Sequence, residues 1–284
     1  MNRAGEFFFQ PNMTSTPIQD ESMRPPASPA AESSALVRLS GVSKDFANGT
    51  RALDSLDLRV DSGDFLSLLG PSGCGKSTAL RLMAGLTAPT RGEITWRDGV
   101  RPELGFVFQE PTLMPWATVE TNVWLPLRIR GEKFRDARER IDEALDLVGL
   151  SGFANAYPRE LSGGMKMRVS IARALVLRPT VLLMDEPFAA LDEITRLRLN
   201  DDLLRLKAEL GTTIVFVTHS VYESVYLSNR IAVFAARPGR VVKTIDVEAP
   251  TLRDEGFRST PAYIDACRAA SAALHEAMSE EDRL

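Results

Sequence analysis

Cysteine and histidine are scarce in this chain, and it has neither a long apolar run nor an excess of basic charge. The two cysteines, Cys74 and Cys267, are too few for a disulfide framework and fit a reducing compartment. No apolar stretch approaches the roughly 18 residues of a membrane-spanning helix. The early Phe7-Phe8-Phe9 run lacks the basic lead and long apolar core of a secretory signal. A formal net charge of −4 argues against a nucleic-acid partner, which asks for a basic stripe. With 44% hydrophobic and 25% charged residues, the 284-residue chain has an ordinary globular composition, enough for one large domain or two small ones. It carries no internal repeat.

What is present centres on Gly70-Pro71-Ser72-Gly73-Cys74-Gly75-Lys76-Ser77-Thr78, a match to G-x-x-x-x-G-K-[ST]. The apolar run Phe65-Leu66-Ser67-Leu68-Leu69 leads in and a helical pattern from Ala79 to Gly85 leads out. Strand, glycine loop and helix are the context in which backbone N–H groups and a helix N-terminus cradle phosphate oxygens. Lys76 is placed to reach β- and γ-phosphates and the Ser77 hydroxyl to help hold Mg²⁺. Cys74 contributes mainly its backbone N–H, since no base sits beside it.

Around this loop the chain is organised in blocks. Residues 1–35 are rich in Pro, Ser, Thr and Ala and read as a disordered leader. Leu36-Val37-Arg38-Leu39 and the stretch from Leu53 to Val60 alternate as half-buried antiparallel strands, joined through Ala47-Asn48-Gly49-Thr50. Phe46 closes the first strand, as a core aromatic or as a ligand contact. Ile94-Thr95-Trp96 and Leu104 to Phe108 are further strands. From Glu110 to about Leu177 the pattern is helical: Thr118 caps one helix, Ala137, Ile141, Ala144, Leu145 and Val148 share a face of another ending at Gly149, and a third runs from near Gly164 to Arg178-Pro179. Val181 to Asp185 and Thr213 to Val217 read as buried parallel strands, separated by a charged helix from Ile194 to Leu210. Ile231 to Phe234 and Val241 to Ile245 close the sheet through an Arg237-Pro238-Gly239 turn. In the last segment Ile264, Cys267, Leu274 and Met278 fall on one helical face able to pack back on the body. The expected fold is α/β.

Two further stretches narrow the chemistry. Asp185 ends a buried strand, where a carboxylate can hold a Mg²⁺ shell, and Glu186 follows where a base can polarise water toward a γ-phosphate. Leu161-Ser162-Gly163-Gly164 precedes a helix, and a Ser cap with two glycines at a free helix N-terminus forms a second phosphate-binding device. One chain has one γ-phosphate to bind, so a second device suggests a site shared between two chains.

These motifs, in this order, resemble the ATP-binding subunit of an ABC transporter over about Leu36 to Val247. By that resemblance Gly70 to Thr78 is the Walker A motif, Gln109 the Q-loop glutamine and a Mg²⁺ contact, and Leu161-Ser162-Gly163-Gly164-Met165 the signature. Val181 to Asp185 is the Walker B run with catalytic Glu186, Ala190-Leu191-Asp192 the D-loop and His219 the switch histidine. Phe46 matches the aromatic that stacks on adenine. Met165 stands where many members have Gln. The resemblance implies a P-loop RecA-like core, an antiparallel β subdomain and an inserted helical subdomain (about 110–177) within a cassette over 36–248, followed by a C-terminal helical extension over 249–284. It implies a Mg-dependent ATPase that works as a head-to-tail homodimer with ATP between Walker A of one copy and the signature of the other.

A finer likeness, to the nitrate/sulfonate/taurine importer group, rests on Glu110-Pro111-Thr112-Leu113-Met114-Pro115-Trp116, Leu191-Asp192-Glu193-Ile194-Thr195-Arg196 and Ala236-Arg237-Pro238-Gly239-Arg240-Val241. It implies transmembrane permease subunits, an extracytoplasmic solute-binding protein, and a peripheral position on the cytoplasmic face of the inner membrane. Trp116 and Trp124 are candidate permease contacts or core residues. The rival reading is a soluble ABC ATPase acting in signalling, envelope remodelling, translation or repair. The single set of motifs and the short span from Lys76 to Ser162 disfavour translation and repair types.

Overall fold

The computed structural model describes residues 35–235 and 237–278. The leader expected over 1–35 lies outside them except for Ala35, as do Ala236 and residues 279–284.

The chain opens with a hairpin, β1 (Ala35–Asp45) and β2 (Arg51–Asp61). Phe46 is the first residue of its turn, one past the strand. β3 (Phe65–Leu69) then runs into the phosphate loop and α1 (Lys76–Met83), followed by β4 (Arg91–Trp96) and β5 (Leu104–Val107). Three helices come next: α2 (Val119–Ile129), α3 (Phe134–Leu147) and α4 (Gly163–Leu175). Strand–helix alternation resumes with β6 (Val181–Asp185), α5 (Glu193–Leu210), β7 (Thr213–Thr218), α6 (Val221–Leu227), β8 (Arg230–Phe234) and β9 (Val241–Asp246), and α7 (Pro261–Ala277) completes the described chain.

The strands form two sheets. One is antiparallel, in the order β2-β1-β4, and the other has the order β5-β6-β7-β3-β8-β9. All neighbours in the larger sheet are parallel except the edge strand β9, which returns antiparallel to β8. β3, β6 and β7 are buried along their whole length, as their unbroken apolar runs require of strands covered on both faces. Successive side chains point to opposite faces. Leu182, Met184 and Phe216 therefore join the core beneath the helical block, while Val181, Leu183 and Val217 join the core shared with α1 and the antiparallel sheet. Each such Leu, Val or Met contributes about 1.5–3 kcal/mol by burial. The phosphate loop, Glu186 and His219 each follow the C-terminal end of β3, β6 or β7, which are neighbours in the sheet, and Asp185 is the last residue of β6, so the topology itself gathers them.

Two sequence expectations need correction. The third helix of the block stops at Leu175, short of Arg178-Pro179. Proline disfavours helical geometry in the residue before it, and Arg178 instead takes a left-handed φ of 50°. On α7 the inward face is Tyr263, Cys267, Ala270, Ala273 and Ala277, with Ile264 40% exposed. Tyr263 takes the inward place because its ring meets Phe257 edge-on at 5.5 Å and its hydroxyl donates to Tyr222 O at 3.1 Å. The run of alanines lets α7 come close to α6, β8 and β9.

Candidate nucleotide site

The phosphate loop has the backbone its sequence demands. Gly73 and Gly75 sit at φ 75° and 95°, in the left-handed region, and a Cβ on Gly75 would lie 2.5 Å from Ala52 O. Lys76 is 3% exposed, and its ammonium donates to Gly70 O and Pro71 O, each at 2.8 Å. The cation is thus held inside the loop formed by Gly70, Pro71, Ser72, Gly73 and Cys74. The Cys74 thiol is buried beside it, and burial pushes its pKa up, which leaves it a poor nucleophile. Thr78 and Ser77 open onto the cleft beside the loop, together with Thr50, Arg51 and Glu186.

Ser77 Oγ donates to Asp185 Oδ1 at 2.6 Å. Burial raises the Asp185 pKa above the usual carboxylate range, against the Ser77 hydrogen bond and the charge of Arg81. A hydroxyl and a desolvated carboxylate in contact beside a phosphate loop are the hard oxygen donors that suit Mg²⁺. Gln109, the third expected metal contact, lies two residues past β5 and is exposed, and among the described residues no hydrogen bond joins it to Ser77 or Asp185.

Glu186 is the hub. Its carboxylate lies 3.8 Å from Lys76 Nζ and 3.4 Å from His219 Nδ1. Its backbone adopts φ 45°, a left-handed value uncommon for a side-chain-bearing residue, and its N–H donates to Val217 O at 3.1 Å. That turn aims the carboxylate off the strand end, back toward the loop. His219 is half exposed.

The signature residues stand apart from this cleft. Ser162 caps α4 and accepts from Met165 N at 3.3 Å. A Cβ on Gly164 would meet Thr195 Cγ2 at 2.5 Å, and one on Gly163 would lie 3.4 Å from Leu191. Gly164 therefore has a packing reason of its own. Asp192 caps α5, accepting from Thr195 N at 2.9 Å, and these bonds hold its pKa below the ordinary value. Phe46 is 44% exposed at the hairpin tip with Lys44 Nζ 5.5 Å above its ring, a surface aromatic instead of a core one.

Sequence reasoning missed the Arg237-Pro238-Gly239 turn as part of the site. Arg237 lines the cleft, 3.5 Å from where a Cβ on Gly73 would sit, and a Cβ on Gly239 would fall 2.0 Å from Cys74 O. The turn braces the phosphate loop. Only the tightness of the Pro-Gly step hinted at it.

A family model described as ABC transporter matches residues 53–189. A Brucella abortus protein named only as ATP-binding is 48% identical over 219 residues, 76% of this chain and 84% of its own length. The chain belongs to the ABC transporter ATP-binding family. The aliphatic sulfonates import ATP-binding protein SsuB of Bacillus cereus is 44% identical over 231 residues, covering 78% of this chain and 90% of SsuB. Among solved structures, the dimeric post-hydrolysis state of the ATP-binding cassette MJ0796 with ADP and Pi superposes with a TM-score of 0.66 at 34% identity, over 75% of this chain and all of that one. As an ABC cassette the chain is an ATP-binding ATPase, and its two sheets and helical block are the expected α/β architecture. It resembles the sulfonate importer group. No helix among the described residues is long and apolar enough to cross a membrane.

Proposed function

We propose that this ABC cassette is the Mg-dependent, ATP-hydrolysing subunit of an importer for a small sulfonate-type solute. The observation that carries the hydrolysis is the Glu186 carboxylate set between Lys76 and His219, next to the Ser77–Asp185 pair, and the import role rests on the likeness to SsuB. Lys76 exchanges its two loop carbonyls for phosphate oxygens. Ser77 and Asp185 would hold Mg²⁺, which supplies charge neutralisation to the phosphates. Glu186 takes a proton from an attacking water while His219 holds that carboxylate in line, a positioning and electrostatic role suited to phosphoryl transfer. Ser162, Gly163 and Gly164 of a second copy complete the site, since in one chain they do not line its cleft. Asp192 and Gln109 carry the contacts with that copy and with the metal shell, and Phe46 stacks on the adenine.

Coupling to a permease is supported by a shallow groove at the edge of the helical block. Phe108 and Ile129 line it, and Trp116, elsewhere on the same block, is 77% exposed. Trp124 is partly buried against the core, its ring meeting Phe134 edge-on at 5.3 Å. The permease, the external binding protein and the peripheral cytoplasmic position follow from this reading together with the import role in the SsuB name. Affinity purification of the tagged protein from detergent-solubilised membranes tests it. Recovery of a polytopic membrane protein is expected. Recovery of soluble partners alone, with the ATPase active, would contradict import and favour a soluble ABC ATPase.

A further inference from the structure

Behind Glu186 and His219 lies a buried polar cluster that the mechanism above does not use. Arg196 Nε, Asn200 Oδ1 and Glu223 Oε1 are all buried without a hydrogen-bond partner among the described residues. Arg196 and Glu223 line the same small cleft as Glu186, Thr218 and His219. Buried polar atoms left unpaired are costly, so three in one place ask for a reason.

The hydrogen bonds supply a direction. Glu223 is the third residue of α6, whose cap Ser220 accepts from Glu223 N at 3.3 Å. In a capping box the glutamate side chain would return to the N–H of the cap. Here Ser220 N–H donates to Thr218 Oγ1 at 3.0 Å, and the Thr218 hydroxyl donates to Glu223 Oε2 at 2.5 Å. One hydroxyl thus ties the backbone on both sides of His219, and a carboxylate holds that hydroxyl. At the other end of the cluster, Arg196 donates to Leu191 O at 2.9 Å, the carbonyl just before Asp192. The Arg196 charge favours the Glu223 anion.

We propose that Arg196 and Glu223 are positioning residues for ATP hydrolysis, coupling the Ala190-Leu191-Asp192 loop to the backbone that carries His219. The proposal rests on the ATPase reading. A second copy pressing on the Asp192 loop moves Leu191 O, and with it the guanidinium. The guanidinium charge acts on the Glu223 carboxylate across the cleft they share, and that carboxylate holds Thr218 and so sets the distance from His219 to Glu186. A charged acceptor makes the Thr218 bond strong and directional. Burial dominates its cost and raises the Glu223 pKa. Stability is therefore lost as pH rises from the ordinary glutamate value through the raised one.

The test uses the full-length protein, with ATPase rate, nucleotide affinity and thermal melting read on each variant. Glu223→Gln keeps an acceptor for Thr218 and removes the charge. Its kcat is expected to fall about 10- to 100-fold, the scale of small misplacements of reacting groups. Nucleotide affinity is expected to be unchanged and Tm equal or higher. Thr218→Val moves kcat the same way, and Thr218→Ser recovers most of the rate. Arg196→Met added to Glu223→Gln costs little more in rate, because the two act as one unit. Wild-type rates in both Glu223→Gln and Thr218→Val, or losses that only track nucleotide affinity or folded fraction, would overturn the proposal. A wild-type protein that hydrolyses no ATP would instead defeat the ATPase reading, and this inference with it.

Discussion

Gly239 lies outside every nucleotide motif, yet its replacement by alanine has a calculable cost. The new methyl would sit 2.0 Å from Cys74 O, where ordinary contact begins at 3.4 Å, so the turn or the loop yields by about 1.4 Å. If the turn yields, two backbone bonds are lost: Gly239 N to Ala52 O and Asp54 N to Gly239 O, each at 3.0 Å. Those are worth about 1 kcal/mol each net, and overpacking adds about 1–3 kcal/mol. The expected loss is about 3–5 kcal/mol of unfolding free energy, read from urea denaturation. If the loop yields, the strain appears instead as weaker ATP binding with a smaller loss of stability. Gly152→Ala is the control, since nothing lies within 4 Å of its Cβ position, and it should stay within about 0.5 kcal/mol of wild type. A Gly239→Ala protein with wild-type stability and wild-type nucleotide affinity would refute the claim that this turn braces the phosphate loop.

Two other predictions concern buried charge. Burial raises the Asp185 pKa above its unfolded value of 3.8, so the ionised carboxylate costs stability, and that cost appears as pH rises through the raised value. Asp185→Asn, whose amide oxygen can still accept from Ser77, should melt at the same or a higher temperature than wild type at neutral pH without Mg²⁺. It should lose Mg-dependent ATPase, and a lower Tm would contradict the reasoning. Arg253 caps the end of α6 through Val225 O, Tyr226 O and Ser228 O. Arg253→Met should cost about 2–3 kcal/mol, the worth of charged hydrogen bonds, and should speed proteolysis after Val247 in limited digestion. An unchanged digestion pattern would show that the segment docks without this contact.

The parts of the site that sequence made legible are those whose chemistry is local. Gly73, Gly75 and Lys76 specify their own loop, and the apolar runs ending at Asp185 and Thr218 specify buried parallel strands whose tips converge by topology. What stayed hidden depends on residues distant in sequence. Gly239 reads as a turn until Cys74 O is seen beneath it. Gly164 reads as a phosphate contact until Thr195 is found packed on it. Arg196 stands out only as part of the Leu191 to Arg196 stretch and Glu223 not at all, because nothing in a helical period reveals which charge is buried at a neighbour's N-terminus. The phase of α7 departs from its sequence pattern for a related reason: periodicity points to a stripe through Ile264, whereas the surface it packs on selects Tyr263 and the alanines.

The central claim is that Glu186, held between Lys76 and His219, is the group that drives hydrolysis at a site completed by a second copy. ATPase rate and molecular mass measured together on Glu186→Gln address it most directly. The account predicts ATP binding like wild type, hydrolysis slowed by about 100-fold or more, as for loss of a general base, and a dimer that accumulates with Mg-ATP and dissolves when ATP is withdrawn. Normal turnover in that variant, or a slowed enzyme that stays monomeric at saturating ATP, would contradict it.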